Sequence, residues 1–395
     1  MEGHLESVTA TIRRYWTAVI FASLGLGGAV IMLRGPVIPE LATTFGTSET
    51  RLGLIPAAGT VGYLLSMAVF GFGAGHLRPK HVIVGGLLGN AAALFALGLA
   101  PIYPIFLLGI AAQGAMIGAV RALNRPLLSH FYPAVRGRIY SLYDMTWAIG
   151  ATLGPVLFVV VVALYSWRAA FLALGACMLG LAVVAWRLQV PGVDAEEEPF
   201  GLADTLVLLR RPQVLGMALV MFFVTGVEGG LFTWLPTYVN ETAPGTIDGS
   251  LVLSVMIAGY VPGRLVYGRL AERVGYVRLV VIVLTLLVPV YAWTFFYASG
   301  LAVLPGIFAI GVLISGNFPL LLSWATDAVP SFSGPVTAIA AVAASSGIGV
   351  MPALLGVAIG SEDAATGMQL LLLPLLVGLG LIVAVRVAEV RRENG

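Results

Sequence analysis

Charge is what this sequence has least of: Asp, Glu, Lys and Arg make up 10% of its 395 residues, against about a quarter in a typical soluble domain. Hydrophobic residues make up 59%, and the mean hydropathy is +0.98. No globular core absorbs that much apolar chain, because the fold would run out of polar surface. The chain therefore reads as a membrane protein. Cysteine is almost missing too. Cys177 stands alone in an apolar run, which excludes a disulfide framework and a cysteine metal cluster. The four histidines are scattered and none has HExxH or other ligand spacing. The phosphate-cradling pattern GxxxxGK(S/T) is absent, as is any nucleophile–base signature. These absences argue against an enzyme, a cofactor or metal, and ATP-driven transport by this chain alone. A net charge of +2 implies no nucleic-acid partner. Arg13 and Arg14 lead into a run too long for a cleaved secretory peptide, and no AxA-like site follows.

What is present is a series of long apolar runs. A spanning helix needs about 20 such residues. Twelve candidates follow at roughly 15–39, 50–72, 81–101, 104–128, 138–164, 167–188, 212–239, 248–271, 277–297, 302–327, 335–360 and 366–388. One long polar connector, "PGVDAEEEPFGLADTLVLLRRPQ", interrupts the series. It divides the chain into a bundle over 1–189, a cytoplasmic linker over 190–211 and a second bundle over 212–395.

Orientation follows from the basic residues. With the N-terminus inside, the inner side receives Arg13, Arg14, Arg78, Lys80, Arg125 and a long series ending at Arg391 and Arg392, whereas the outer loops hold only Arg51 and Arg168. Both termini are expected on the cytoplasmic side of a cell membrane.

The two halves repeat. "GFGAGHLRPKH" begins at Gly71 and "GRLAERVGYVR" at Gly268; "GATLGP" ends at Pro155 and "GIGVMP" at Pro352; Pro39 and Pro236 close spans one and seven. Each pair is separated by 197 positions. Duplicated halves are a common build among secondary transporters, whose substrate sites lie near the midplane.

The second-half loop resembles the G-x-L-x-(D/E)-R-x-G-x-x-(R/K) motif of the major facilitator superfamily. Gly268, Leu270, Glu272, Arg273, Gly275 and Arg278 fill its positions, while the first half carries Gly75 for the acid and His76 for the arginine. "SWRAAF" and "GATLGP" are similar to the family's sixth-span start and fifth-span motif. The resemblance implies an all-α fold of two six-helix bundles, working as a monomer by alternating access. It also implies a central cavity lined by spans one, four, seven and ten, and a gating role for Gly268, Glu272, Arg273 and Arg278. The family's fourth-span arginine, four residues before Gly114, is Ile110 here, which weakens a drug/proton antiporter reading.

Ionisable groups within spans are costly and mark cavities or partners. Glu228 is the lone acid in "VTGVEGGLFTW", past the middle of span seven, and its first-half equivalent is Ile31. Arg34 follows one turn later, so the sequence predicts that Arg34 and Glu228 meet across the cavity. Gln113, Trp234 and Asn317 complete the candidate substrate and coupling set. Arg121 and Asp144, at similar depth in spans four and five, are expected to form a buried ion pair. The function expected is secondary transport of a small polar or anionic organic solute, coupled to protons. The rivals are multidrug efflux and a membrane sensor without flux.

Overall fold

The computed structural model describes residues 2–72, 78–132, 135–189, 207–245, 247–329 and 332–393. Among these residues there is no strand. In hydrocarbon the backbone must satisfy its own hydrogen bonds, and each apolar run does so as a helix. In the first half these are α1 (Glu2–Met32), α2 (Ile38–Phe45), α3 (Glu49–Leu52), α4 (Leu54–Phe72), α5 (Pro79–Leu99), α6 (Tyr103–Phe131), α7 (Arg136–Leu164) and α8 (Trp167–Arg187). In the second half come α9 (Pro212–Thr242), α10 (Gly249–Val274), α11 (Tyr276–Phe296) and α12 (Val303–Ile314). The chain then continues through α13 (Asn317–Ala328), α14 (Ser333–Ser361), α15 (Ala364–Leu370) and α16 (Leu372–Glu393).

Eleven described helical stretches are long and apolar enough to cross a membrane. The expected second span corresponds to the 19-residue α4, which ends where residues 73–77 leave the described part. Gly75 and His76 of the degenerate loop motif therefore lie outside the described residues, as do residues 190–206 of the linker.

The repeat seen in the sequence reappears as packing. A Cβ at Gly150 of α7 would collide with the carbonyl of Gly25 in α1, and one at Gly347 of α14 with the carbonyl of Phe222 in α9. Likewise Gly114 of α6 abuts Gly59 of α4, and Gly311 of α12 abuts Met256 of α10. Gly62 meets Ala111 as Gly259 meets Phe308. Every one of these six residues shifts by 197 to its counterpart. Helix pairs α1–α7 and α9–α14 are thus the same crossing built twice, as are α4–α6 and α10–α12. Only a missing side chain lets backbones approach so closely, which is how helices associate in lipid, where no hydrophobic force draws them together.

Two features break the symmetry. Pro39 does not close the first span: α1 ends at Met32, a turn follows, and Pro39 opens the short α2, whereas Pro236 sits inside the continuous α9. The tenth span is also broken at Ser315–Gly316 into α12 and α13, while its counterpart α6 runs unbroken for 29 residues.

Packing divides the chain into two compact units, Met1–Leu33 with Ala58–Pro199 and Arg34–Ala57 with Phe200–Gly395. The sequence assigns Arg34–Ala57 to the first half, but this segment packs with the second. Gly35 presses on the carbonyls of Phe232 and Thr233, and Gly53 lies against Pro352 and Gly356. The hydroxyl of Thr50 donates to the carbonyl of Gly356 at 3.2 Å.

Candidate functional site

In the second unit, Glu228 projects from α9 and its carboxylate accepts a hydrogen bond from the hydroxyl of Tyr260 on α10. Tyr260 is buried, with 3% of its surface exposed. One helical turn further along α10, the guanidinium of Arg264 lies over the Tyr260 ring, 5.5 Å from its centroid. Arg264 is also the cation that acts on Glu228. Arg34 is not among the groups that act on this carboxylate, so the expected pair across the cavity gives way to a Glu228–Tyr260–Arg264 cluster. The physical reason is reach: the segment holding Arg34 meets α9 at Phe232 and Thr233, a turn beyond Glu228, whereas Tyr260 points directly at the acid.

Tyr260 and Arg264 are absent from the sequence-derived set. Arg264 is hidden by its neighbourhood, since it precedes the basic loop motif and blends into it. The available signal was depth. It lies ten positions before Val274, the last residue of α10, hence about 15 Å from that helix end at 1.5 Å per residue.

Asn317 begins α13 at the break in the tenth span. Its side-chain amide donates to the carbonyls of Ile314 at 3.0 Å and Leu313 at 3.4 Å, which the interrupted helix no longer uses. The break lies against α10: a Cβ at Gly263 would strike the Ser315 hydroxyl, and one at Gly316 would strike the Tyr267 ring. It therefore abuts the stretch of α10 that carries Arg264. Trp234 does not face a cavity. It is 0% exposed, and its indole N–H donates at 2.9 Å to the carbonyl of Pro352, inside α14.

The first unit corrects one expectation. Asp144 pairs with Arg125 at 3.1 Å, not with Arg121, and the pair is exposed, at 44% and 50%. Arg121 and Arg125 are one turn apart on one face, and it is the Arg125 guanidinium that lies over the Tyr140 ring, 5.7 Å from its centroid, and reaches Asp144. Arg121 instead borders a cavity of about 20 Å³ with Ser23, Asn90 and Asn124. That volume fits one water molecule, far below the several hundred Å³ of an organic-ligand site. Gln113 is fully buried in α6. A second cavity of about 360 Å³, between α11 and α12, is lined by Pro289, Trp293 and Pro305 and offers no charged group.

The loop motif joins α10 to α11. Gly275 adopts φ +83°, a conformation that side chains beyond hydrogen resist. Glu272, Arg273 and Arg278 are exposed around it and form no ion pair among the described residues, and Gly268 stands open on the surface of α10.

Comparison with known proteins fits this architecture. The model of the Major Facilitator Superfamily matches residues 16–352. The chain belongs to that superfamily: it is a multi-pass membrane protein with the transporter fold. It is 29% identical over 264 residues to the transcription regulatory protein OpdE of Pseudomonas aeruginosa, covering 64% of this chain and 63% of that one. It is 27% identical over 282 residues to the probable sulfoacetate transporter SauU of Cupriavidus necator, covering 63% of each. The chain thus matches less than two thirds of either relative's length. Among solved structures it resembles a bacterial homolog of the human lysosomal transporter Spinster, with TM-score 0.76, 14% identity, and coverage of 95% of this chain and 96% of that one.

Proposed function

We propose that this secondary transporter moves a small polar or anionic organic solute by alternating access, coupled to protons at Glu228. The observation that carries the reading is the Glu228–Tyr260 hydrogen bond between α9 and α10. The fold does not require it. The duplicated glycine contacts show what the architecture needs twice, and at the equivalent positions the first half has Ile31 opposite Glu228 and Met67 opposite Arg264. A costly acid retained in only one copy is a functional addition to the scaffold. Other charges on helices packed against α9, among them Glu40, Asp327 and Arg386, do not act on it. The name of SauU, a probable sulfoacetate transporter, supports a small organic anion as the cargo. We place both termini on the cytoplasmic side of the cell membrane, where the arginine-rich loops belong.

The test is uptake into proteoliposomes driven by an imposed pH gradient. Glu228→Gln is expected to abolish gradient-driven accumulation while leaving solute counterflow. Accumulation at the native level would remove proton coupling through this residue. The likeness to OpdE favours one other reading, a regulatory membrane protein without flux. Measured counterflow by the native protein would dispose of it.

A further inference from the structure

From the placement of Arg264 we infer that it is the anion-recognition residue of this transporter, and that its charge is released for cargo when Glu228 takes up a proton. This deepens the proposed function and rests on it.

The first observation is the face that Arg264 occupies. Along α10, Met256, Tyr260, Gly263 and Tyr267 are buried, and Val261, Leu265 and Val266 are exposed. At 100° per residue, Arg264 falls 40° from Tyr260 and inside the buried sector, away from the Val261–Leu265–Val266 stripe that suits lipid. Yet Arg264 is itself exposed. An arginine exposed on the interior face of a spanning helix, away from the lipid-suited stripe, is accessible without unpacking the helix. The second observation is its company. Arg264 forms no ion pair among the described residues, and what holds it is the ring of Tyr260. The carboxylate that compensates it acts from beyond that ring, through a hydroxyl that is already bonded. The planar fork of the guanidinium is left free, and that fork matches carboxylates, sulfonates and phosphates.

The charges then balance in two states. Without cargo, ionised Glu228 and Arg264 sum to zero. When a proton enters on Glu228, its carboxyl becomes neutral and Arg264 is left uncompensated at mid-membrane depth, where an unpaired charge is costly. One monovalent anion restores neutrality. The arrangement therefore specifies one proton carried with each monoanion, in the same direction and without net charge. It also disfavours a cationic drug, which would meet Arg264 as a like charge.

The experiment uses the full chain in detergent and in liposomes, with the monoanions benzoate, acetate and methanesulfonate as probes and benzamide as the uncharged analogue of benzoate. For the native protein, at least one anion is expected to raise the melting temperature, more at acidic than at neutral pH, and benzamide is expected not to. Arg264→Gln should weaken anion binding about tenfold or more, the scale of losing one charge-assisted contact. Arg264→Lys should keep part of it, which separates recognition from misfolding. Glu228→Gln should bind the anion equally at both pH values. Anion affinity unchanged in Arg264→Gln would overturn the assignment, as would stabilisation by none of the three anions, or equal stabilisation by benzamide. Gradient-driven anion uptake by the native protein together with an inert Arg264→Gln would sink this inference alone. Anion uptake that needs Arg264 but ignores the pH gradient would leave recognition intact and refute the proton coupling.

Discussion

Glu228 was legible in the sequence because nothing around it is charged, so its cost stands out against an apolar run. Its partner was not legible, because partnership depends on which helix faces which. From sequence, Arg34 lay one turn from the symmetry mate of Glu228; in the structure the acid turns to Tyr260, and Arg264 comes with it. Asp144 teaches the same lesson, since a one-turn choice between Arg121 and Arg125 cannot be made from spacing alone. Tyr260 is the residue whose substitution separates its two contacts. Tyr260→Phe keeps the ring beneath Arg264 and deletes only the hydroxyl that holds Glu228. It should leave the KM for solute within about twofold and cut pH-gradient-driven accumulation about tenfold, the worth of one hydrogen bond to a charged group. Initial uptake rates with and without the gradient measure both. A large rise in KM with intact coupling would mean that the hydroxyl serves the cargo and not the acid.

Elements were read well where one rule governs them. Length and hydropathy located the spans, because a helix is what an apolar run must become in lipid. The breaks were harder to see. The interruption at Ser315–Gly316 depends on Asn317 taking over carbonyls of the preceding turn, and on the Tyr267 ring filling the space where Gly316 has no side chain. Helix crossings follow from the glycines, and they make a paired prediction. Gly150→Ala and Gly347→Ala place a methyl against a backbone carbonyl of the facing helix, which cannot rotate aside. Each should destabilise by about 1–3 kcal/mol, the usual effect of overpacking. Gly180→Ala in α8 meets nothing within 4 Å, so it should be neutral or stabilise by up to about 1 kcal/mol through helix propensity. Thermal unfolding of the purified variants in detergent decides this. Equal behaviour of all three would mean that the close crossings are not what holds the repeats together.

For the molecule as a whole, the repeat was the most informative feature of the sequence, and the structure shows why. One landmark pair at the offset of 197, "GATLGP" and "GIGVMP", carries Gly150 and Gly347, at which backbones touch, so packing wrote that spacing twice, whereas Gly268 stands open and Pro39 and Pro236 sit differently in their helices. The departure of Arg34–Ala57 into the second unit left no such trace, because it depends on contacts between segments more than 150 residues apart. Charge at this scale makes the last prediction. With spans counted from the N-terminus, the basic residues of the loops fall on one side, and Arg51 and Arg168 stand alone on the other. The exposed Arg273 and Arg278 at the α10–α11 turn belong to the rich side, and Arg168 is spent on local contacts, donating to the carbonyls of Gly98 and Ala100 at 3.1 and 2.7 Å. A bias this strong orients a multi-pass membrane protein with its basic loops inside. A fluorescent protein fused after Gly395 should therefore fold and fluoresce in a bacterial host, and an alkaline phosphatase fused there should be inactive. A phosphatase fused in the loop containing Gly245, between α9 and α10, should be active. The opposite pattern would invert the molecule and put the Glu272–Arg273 loop on the outer side.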